Sequence, residues 1–284
     1  MSFGLCNSAQ SFQRFVDEMT RGLEFCYCYL DDFLIFSRNE EEHEKHLPEV
    51  FDRLKRYGML INTSKCIFGV DEVTFLGYRI LESGTKPLEE KVQVIMEYPQ
   101  PKEVRQLRRF LGIINFYRRF LPNSAQAQAP LNNLLTGAVK GRQTITLTDK
   151  EIKAFEDCKR SLSNAALLAH PDCEAKLALV TDASDVAIGV ILQQLKGGAW
   201  QPLAFFSRRL RPTQQRYSPY DRELLAIYEA IKYFRLMVEP RHFTIYTDHK
   251  PISFAFHNRK DNYSPRQYRH LDFIAQFTTD IRQR

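Results

Sequence analysis

Two adjacent carboxylates, Asp31 and Asp32, interrupt a stretch of large apolar residues, and this pattern constrains the fold more than any other in the chain. The runs on either side, residues 25–30 and 33–36, are about strand length and rich in aromatic and aliphatic side chains. The sequence therefore predicts a β-hairpin with the two acids at its turn. A two-residue hairpin turn ordinarily favours Asn-Gly or Asp-Gly, so the doublet is unusual for turn formation alone.

The chemistry of the acidic doublet leaves two interpretations open. Neighbouring carboxylates repel each other unless a cation neutralises them, and hard oxygen ligands suit Mg²⁺. The hairpin is therefore either a divalent-metal site or a solvated acidic turn. The rest of the chain is needed to choose between them.

The chain has 284 residues, 44% of them hydrophobic, which is enough to bury the cores of two or three domains. Its 40 lysines and arginines outnumber its 34 acidic residues, giving a formal charge of +6. Residues 86–142 hold ten basic and four acidic side chains, so the surplus of this one segment equals the charge of the whole chain. Such a concentration of charge favours anionic partners.

The six cysteines are scattered without a paired Cys-x-x-Cys unit, and most have apolar neighbours. This favours buried, reduced thiols in an intracellular protein over a disulfide or zinc framework. The N-terminal residues lack the pattern of a signal peptide, and no apolar run is long enough to cross a bilayer, so we expect no membrane partner. The composition does not distinguish a cytoplasmic particle from the nucleus.

Changes in hydrophobic period divide the chain into three predicted segments. In residues 1–81, helical patterns alternate with short strand patterns, including strands near 59–61 and 66–68, which predicts an α+β domain. Residues 82–140 are mainly helical. Residues 141–284 open with a connector helix, and from about residue 175 three strands, a helix, a strand and a helix predict a mixed α/β domain.

A helix predicted over residues 104–120 carries a basic stripe opposite its apolar face. The stripe follows helical spacing and comprises Arg105, Arg108, Arg109 and Gly112, with Phe116 one turn further on. Arginines beside a glycine offer phosphate contacts where a nucleic-acid backbone can approach closely. Helix–helix packing at Gly112 with solvated arginines explains the same pattern, and the stripe alone does not decide between them.

Three further acids are spaced so that a fold can bring them together. Asp182 and Asp248 each follow a threonine at the end of an alternating strand, and Glu223 lies in the first turn of the intervening helix. Ala226 and Ala230 share the face of Glu223 and are small enough for that helix to press on the sheet. Clustered carboxylates are costly without cations, so the combination predicts a two-metal site. Taken singly, each acid is more often a cap or turn residue.

These motifs, in this order, resemble the Pol polyprotein of gypsy-type long-terminal-repeat retrotransposons, specifically a reverse transcriptase palm and thumb followed by ribonuclease H. The resemblance covers nearly the whole chain. It rests on a template-contacting motif, a catalytic box, a primer grip, a thumb signature and three ribonuclease H blocks: Phe3-Gly4-Leu5-Cys6-Asn7 through Phe12-Gln13-Arg14, Tyr29-Leu30-Asp31-Asp32, Phe75-Leu76-Gly77-Tyr78, Phe110-Leu111-Gly112 with Tyr117-Arg118-Arg119-Phe120, Thr181-Asp182-Ala183-Ser184, Arg222-Glu223-Leu224-Leu225-Ala226 and Tyr246-Thr247-Asp248-His249-Lys250.

The resemblance implies a partial α+β polymerase palm, an α-helical thumb and a mixed α/β ribonuclease H-like domain. Asp31 and Asp32 would hold the Mg²⁺ or Mn²⁺ ions of nucleotidyl transfer, and Asp182, Glu223 and Asp248 would cut the RNA strand of an RNA–DNA hybrid. An RNA template, a DNA primer and their hybrid are the implied partners. The implied nucleic-acid contacts are Phe3, Gly4, Gln13, Tyr29, Leu76, Gly77, Arg105, Arg108, Arg109, Gly112 and Phe116.

The chain departs from the family pattern at both ends. The family's third polymerase aspartate and its nucleotide-gripping finger residues precede the region where this chain begins, and Ser2 replaces the usual proline. The fourth ribonuclease H acid and its C-terminal helix lie beyond Arg284, and Asp280 sits in a strand-like segment. We therefore expect a fragment truncated at both ends, with negligible primer extension and at most weak, metal-dependent cleavage of a hybrid. Deoxynucleotides are expected partners only if the missing N-terminal part is supplied. A catalytically inactive remnant that binds nucleic acid is the alternative.

Overall fold

The computed structural model describes residues 6–137, 140–255 and 263–284. The chain forms two compact units, Met1–Glu82 and Ser83–Arg284. The further division of the second unit at residue 140 stays a prediction. The expected fold classes are confirmed, with α+β elements in the first unit and a helical segment followed by a mixed α/β sheet in the second.

The first unit is built from two helices and two hairpins. Its elements are α1 (Ser8–Met19), β1 (Cys26–Tyr29), β2 (Asp32–Ile35), α2 (Glu40–Arg56), β3 (Glu72–Phe75) and β4 (Tyr78–Leu81), with a short 3₁₀ helix at Thr63–Lys65. The predicted hairpin is confirmed, since β1 and β2 pair antiparallel, but its two-residue turn is Leu30-Asp31, and Asp32 is the first residue of β2, opposite Tyr29. Val16, Met19, Cys28, Val50 and Leu54 form a core that joins both helices to β1.

The prediction of strands near 59–61 and 66–68 is wrong. Residues 57–71 contain only the 3₁₀ turn, and β3 pairs with β4 instead. Leu60 is 96% exposed and Ile67 is 69% exposed, so these apolar side chains have no partner strand in this unit to bury them. An apolar run of three residues is too short to fix a strand by its pattern alone.

The second unit begins with β5 (Gly84–Pro87), whose Thr85 N–H donates to the Leu168 carbonyl at 2.8 Å. Helices follow at α3 (Glu89–Met96), α4 (Val104–Phe116), α5 (Ser124–Ala127), α6 (Ala129–Asn133) and α7 (Asp149–Ser163), with a 3₁₀ turn at Arg118–Phe120. A capping box between Thr148 and Glu151 opens α7. The apolar stripe of α4 is buried, and its Phe110 ring lies 4.5 Å from Phe155 of α7.

The rest of the second unit is a five-stranded sheet with helices. Its elements are β6 (Lys176–Ala183), β7 (Ala187–Lys196), β8 (Ala199–Arg209), α8 (Pro212–Gln215), α9 (Pro219–Val238), β9 (Phe243–Thr247), α10 (Lys250–Ala255), α11 (Pro265–Ala275) and β10 (Ile281–Gln283). The strand order is β10-β9-β6-β7-β8. Strand β7 pairs antiparallel with both β6 and β8, while β9 runs parallel to β6 and β10 runs parallel to β9.

Helix α9 packs its apolar face on this sheet. Leu224, Ile227 and Ile231 are fully buried, and they join Leu179 and Ile245 of the central strands in one core. The alanines at 226 and 230 are also fully buried, as the sequence predicts for close approach of the helix. None of the described helices is long and apolar enough to span a membrane.

Candidate functional site

Three carboxylates predicted to converge do meet at the end of two inner strands of the five-stranded sheet. Thr181 of β6 lies beside Thr247 of the parallel strand β9, so the next residues, Asp182 and Asp248, emerge at the same end of the sheet. Glu223 approaches from the second turn of α9 and not from the first turn as predicted. One ligand oxygen from each of Asp182, Glu223 and Asp248 lies within 4.8 Å of the others. The two aspartates are exposed and the glutamate is buried.

Glu223 is the electrostatically stressed member of this acidic triad. The Ala183 N–H donates to its Oε1 at 2.9 Å, whereas Oε2 is buried without a hydrogen-bond partner among the described residues. Burial, followed by the charge of Asp248, raises the pKa of Glu223 to about 8. A bound cation would relieve both effects, because it supplies positive charge and a partner for the orphaned oxygen. The donor set is all carboxylate and therefore fits a hard divalent ion.

Asp280, which is not one of the predicted metal ligands, lies away from the triad. It precedes β10, whose Ile281 pairs with Ile245, and it accepts a hydrogen bond from Thr244 Oγ1 at 2.7 Å near the start of β9. Arg282 Nε lies 2.7 Å from its Oδ1, and this partner holds the pKa of Asp280 below its usual value. Its charge is thus neutralised locally at the opposite end of the strand from Asp248.

The acidic hairpin presents two carboxylates instead of three. Leu30 and Asp31 form the turn between paired residues Tyr29 and Asp32, and both acids are exposed. In the part of the chain that the structure describes, the Asp182, Glu223 and Asp248 group is where three potential metal ligands converge. The hairpin can bind a cation through two side chains, with other ligands supplied by solvent or substrate.

The other nucleic-acid contacts predicted in the first unit are placed as follows. Tyr29 is 47% exposed beside the acids, and Gln13 is half-buried on α1 with its amide bonded to the hairpin. Leu76 and Gly77 form the turn between β3 and β4, both in the left-handed region with φ of 50° and 83°. Phe3 and Gly4 lie outside the described residues.

The basic stripe of α4 faces solvent. Arg105, Arg108 and Arg109 are exposed, and Phe116 is 51% exposed with its ring edge-to-face against Tyr117. A Cβ added at Gly112 would meet no atom within 4 Å. Helix–helix packing therefore does not explain this glycine within the described structure. The open surface leaves room for a backbone from another molecule.

Sequence reasoning missed two features of the hairpin. Leu30 adopts a left-handed conformation with φ of 51°, which is uncommon for a residue with a branched side chain. Gln13 bonds to the Cys28 carbonyl at the end of β1 and to the Leu30 N–H in the turn. The first feature carried a signal, since a two-residue hairpin loop needs positive φ and no glycine is present at the turn. The second had none, because Gln13 and Leu30 are 17 residues apart.

Comparison with known families places matches on both units. Residues 1–80 match the reverse transcriptase (RNA-dependent DNA polymerase) family. Residues 147–245 match the RNase H-like domain found in reverse transcriptase. These two spans contain the acidic hairpin and two acids of the triad, Asp182 and Glu223, while Asp248 lies three residues beyond the second span.

Curated relatives align with the full chain. The Transposon Tf2-3 and Tf2-4 polyproteins of Schizosaccharomyces pombe are 35% identical over 289 aligned residues, which cover 100% of this chain. The chain spans 21% of the length of those polyproteins. It is therefore similar to one portion of a much longer protein.

Solved structures share the fold. A foamy viral protease-reverse transcriptase in complex with double-stranded DNA superposes with a TM-score of 0.85 at 22% identity, covering 99% of this chain and 49% of that one. A foamy viral protease-reverse transcriptase with an RNA/DNA hybrid gives a TM-score of 0.82 at 23% identity, covering 100% of this chain and 38% of that one.

Proposed function

We propose that this chain, which belongs to the reverse transcriptase and ribonuclease H region of retrotransposon polyproteins, cuts the RNA strand of an RNA–DNA hybrid at Asp182, Glu223 and Asp248. The observation that carries the proposal is the convergence of three carboxylate oxygens within 4.8 Å at the end of two parallel strands. None of the three forms a salt bridge with another described residue that would neutralise its charge. The arrangement therefore suits a cation better than it suits a structural ion pair.

The chemistry follows from the position of each acid. Asp182 and Asp248 are exposed and can face a phosphodiester, while Glu223 is buried and its carboxylate accepts a hydrogen bond from the Ala183 N–H. Bound Mg²⁺ or Mn²⁺ would activate water and stabilise the leaving oxygen of the cleaved strand. The three carboxylates would hold the cation, and the hydrogen-bonded strands β6 and β9 fix the positions of Asp182 and Asp248 relative to each other.

The acidic hairpin supports a second activity of the same family, RNA-directed DNA synthesis. We assign to Asp31 and Asp32 the binding of a divalent cation during nucleotidyl transfer from a primer on an RNA template. The support is the exposure of Asp31 in the two-residue turn and of Asp32 at the start of β2, next to the exposed Tyr29 ring. Phosphoryl transfer of this kind depends on positioning and charge neutralisation more than on covalent help from side chains.

An RNA template, a DNA primer and their hybrid are the proposed partners. The structures of the foamy viral proteins with the same fold were determined in complex with double-stranded DNA and with an RNA/DNA hybrid. In this chain the exposed arginines of α4 provide phosphate contacts, and the open surface at Gly112 provides room for close approach. A double helix recognised in this way is read by shape and charge, since arginine–phosphate contacts carry no sequence information.

The test of the cleavage proposal is an assay with end-labelled RNA–DNA hybrid and Mg²⁺ or Mn²⁺. We expect metal-dependent cleavage of the RNA strand and none of single-stranded RNA. Asp182→Asn should abolish cleavage while leaving hybrid binding measurable. Asp185→Asn, which changes an exposed aspartate in the following turn, is the matched control and should retain cleavage. Hybrid binding without cleavage by the unmodified chain would instead identify a binding module.

Gly112→Ala should move stability and hybrid affinity in opposite directions. Glycine in a helix interior is destabilising relative to alanine, and the added methyl meets no atom here, so the free energy of unfolding should rise by about 0.5–1 kcal/mol. If a nucleic-acid backbone approaches this site, the same methyl should weaken hybrid binding several-fold. Denaturant unfolding and a binding titration on one preparation measure both effects. Unchanged affinity would remove Gly112 from the nucleic-acid interface.

A further inference from the structure

The turn that carries Asp31 and Asp32 is held in an uncommon conformation. Leu30 has a φ of 51°, a region in which a leucine side chain crowds its own backbone. Among the described non-glycine residues, Leu76 and Asn123 are the others with positive φ. Such residues persist when surrounding contacts over-determine them, and they concentrate at functional sites.

The side chain of Gln13 bonds to the end of β1 and to the first residue of this turn. Its Oε1 accepts the Leu30 N–H at 2.7 Å, and its Nε2 donates to the Cys28 carbonyl at 3.1 Å. The same Nε2 donates to Asp17 Oδ1 at 2.8 Å, which fixes the amide from the helix side. The orientation of the amide is unambiguous, because a backbone N–H can only donate and a backbone carbonyl can only accept.

A third bond closes the turn from within the strand. Cys28 is buried, and its thiol donates to the Leu30 carbonyl at 3.4 Å. Burial raises the pKa of Cys28 to about 12, so the thiol keeps the proton that it donates. The N–H and the C=O of Leu30 are thus both held by side chains, one from α1 and one from β1.

We propose that Gln13 is a positioning residue that locks Leu30 in its left-handed conformation and thereby sets the directions of the Asp31 and Asp32 carboxylates. The role acts through the backbone, because Asp31 follows Leu30 directly and Asp32 is paired with Tyr29 across the turn. If Leu30 returned to an extended conformation, a two-residue loop would no longer connect the paired strands. The two carboxylates would then lose their fixed positions on the hairpin.

This inference rests on the proposed cation-binding role of the hairpin, and the two are separable by experiment. Hydrogen exchange of the Leu30 amide measures the protection given by its hydrogen bond to Gln13. Mn²⁺-induced broadening of the NMR signals of the hairpin amides measures cation binding. Gln13→Met preserves side-chain length and removes both hydrogen bonds to the hairpin. Gln10→Met changes an exposed glutamine three residues earlier on the same helix and is the matched control.

In the 284-residue chain, Gln13→Met should speed Leu30 amide exchange roughly tenfold, the loss expected for one intramolecular hydrogen bond. The Mn²⁺ concentration for half-maximal broadening should rise about fivefold or more, and Gln10→Met should change neither quantity. Adding Leu30→Gly to Gln13→Met should restore the Mn²⁺ midpoint to within about twofold, because glycine adopts positive φ without help. General destabilisation of α1 would not be rescued in this way.

Unchanged Leu30 exchange in Gln13→Met would overturn the proposed lock. A Mn²⁺ midpoint that Leu30→Gly fails to restore would overturn the positioning role. Failure of the underlying cation proposal has a different signature, in which the unmodified chain shows no Mn²⁺ broadening at the hairpin although Gln13→Met still accelerates Leu30 exchange.

Discussion

Glu223→Gln is expected to lower metal-dependent hybrid cleavage by about a thousandfold or more while making the cation-free protein more stable. The loss follows because Gln cannot supply the negative oxygen that completes the acidic triad with Asp182 and Asp248. The gain follows because the substitution removes a buried carboxyl whose oxygens face two other acids. Glutamine retains an oxygen that can accept the Ala183 N–H.

The stability effect has a defined pH dependence. The pKa of Glu223 rises from 4.5 in an unperturbed chain to about 8 in the folded protein, through burial first and then the charge of Asp248. Above the unfolded pKa the unfolded chain releases a proton that the folded protein retains, so folding loses stability as the pH rises and the loss is complete above the folded pKa. In the presence of a chelator, the stability advantage of Glu223→Gln should therefore grow between about pH 5 and about pH 8, reaching roughly 1–3 kcal/mol.

Thermal unfolding across this pH range, with and without Mn²⁺, measures the effect. Mn²⁺ should stabilise the unmodified chain and should do much less for Glu223→Gln. Glu239→Gln, at the far end of α9 and paired with Arg235, is the control and should leave cleavage and the Mn²⁺ effect unchanged. Near-normal cleavage by Glu223→Gln, or a stability gain that does not grow with pH, would contradict the proposed site.

The sequence carried most of the information about the acidic triad because each acid was tied to a strong periodic element. Two alternating strands and a long apolar helix face fixed the ends at which Asp182, Asp248 and Glu223 emerge, and parallel pairing of β6 with β9 brought them together. The sequence could not supply the pairing of Glu223 with the Ala183 N–H or the raised pKa. Both depend on how deeply α9 packs on the sheet.

The first unit shows where pattern reasoning loses its force. The acidic hairpin was predictable from two apolar runs around a polar turn, whereas residues 59–61 read as a strand and form none. A short apolar segment becomes a strand only when a partner strand provides hydrogen bonds to its backbone. Whether such a partner is present depends on the tertiary structure. The contact between Gln13 and Leu30 is tertiary in the same sense, since no periodicity links α1 to the turn.

Replacing Arg105, Arg108 and Arg109 together by alanine should weaken hybrid binding strongly at low salt and flatten its salt dependence. Each phosphate contact contributes about −0.9 to the slope of log affinity against log salt for duplex DNA, so three lost contacts should reduce the slope by up to about 3. The arginines are exposed on the face of α4 opposite its buried stripe, so their removal should leave the fold intact. A salt titration of hybrid affinity, with unfolding measured in parallel, provides the readout.

The decisive comparison is with a second triple variant of equal charge. Lys150, Lys153 and Arg160 are exposed on α7 in the same unit, and replacing them by alanine removes the same three positive charges. If α4 contacts the phosphates, this control should shift affinity only weakly and keep the original slope, because a change in net charge acts at long range and is screened by salt. Equal slopes for the two triple variants would mean that the α4 arginines attract nucleic acid only as part of the overall charge. A lower slope for the α4 variant alone would place individual phosphates beside Arg105, Arg108 and Arg109.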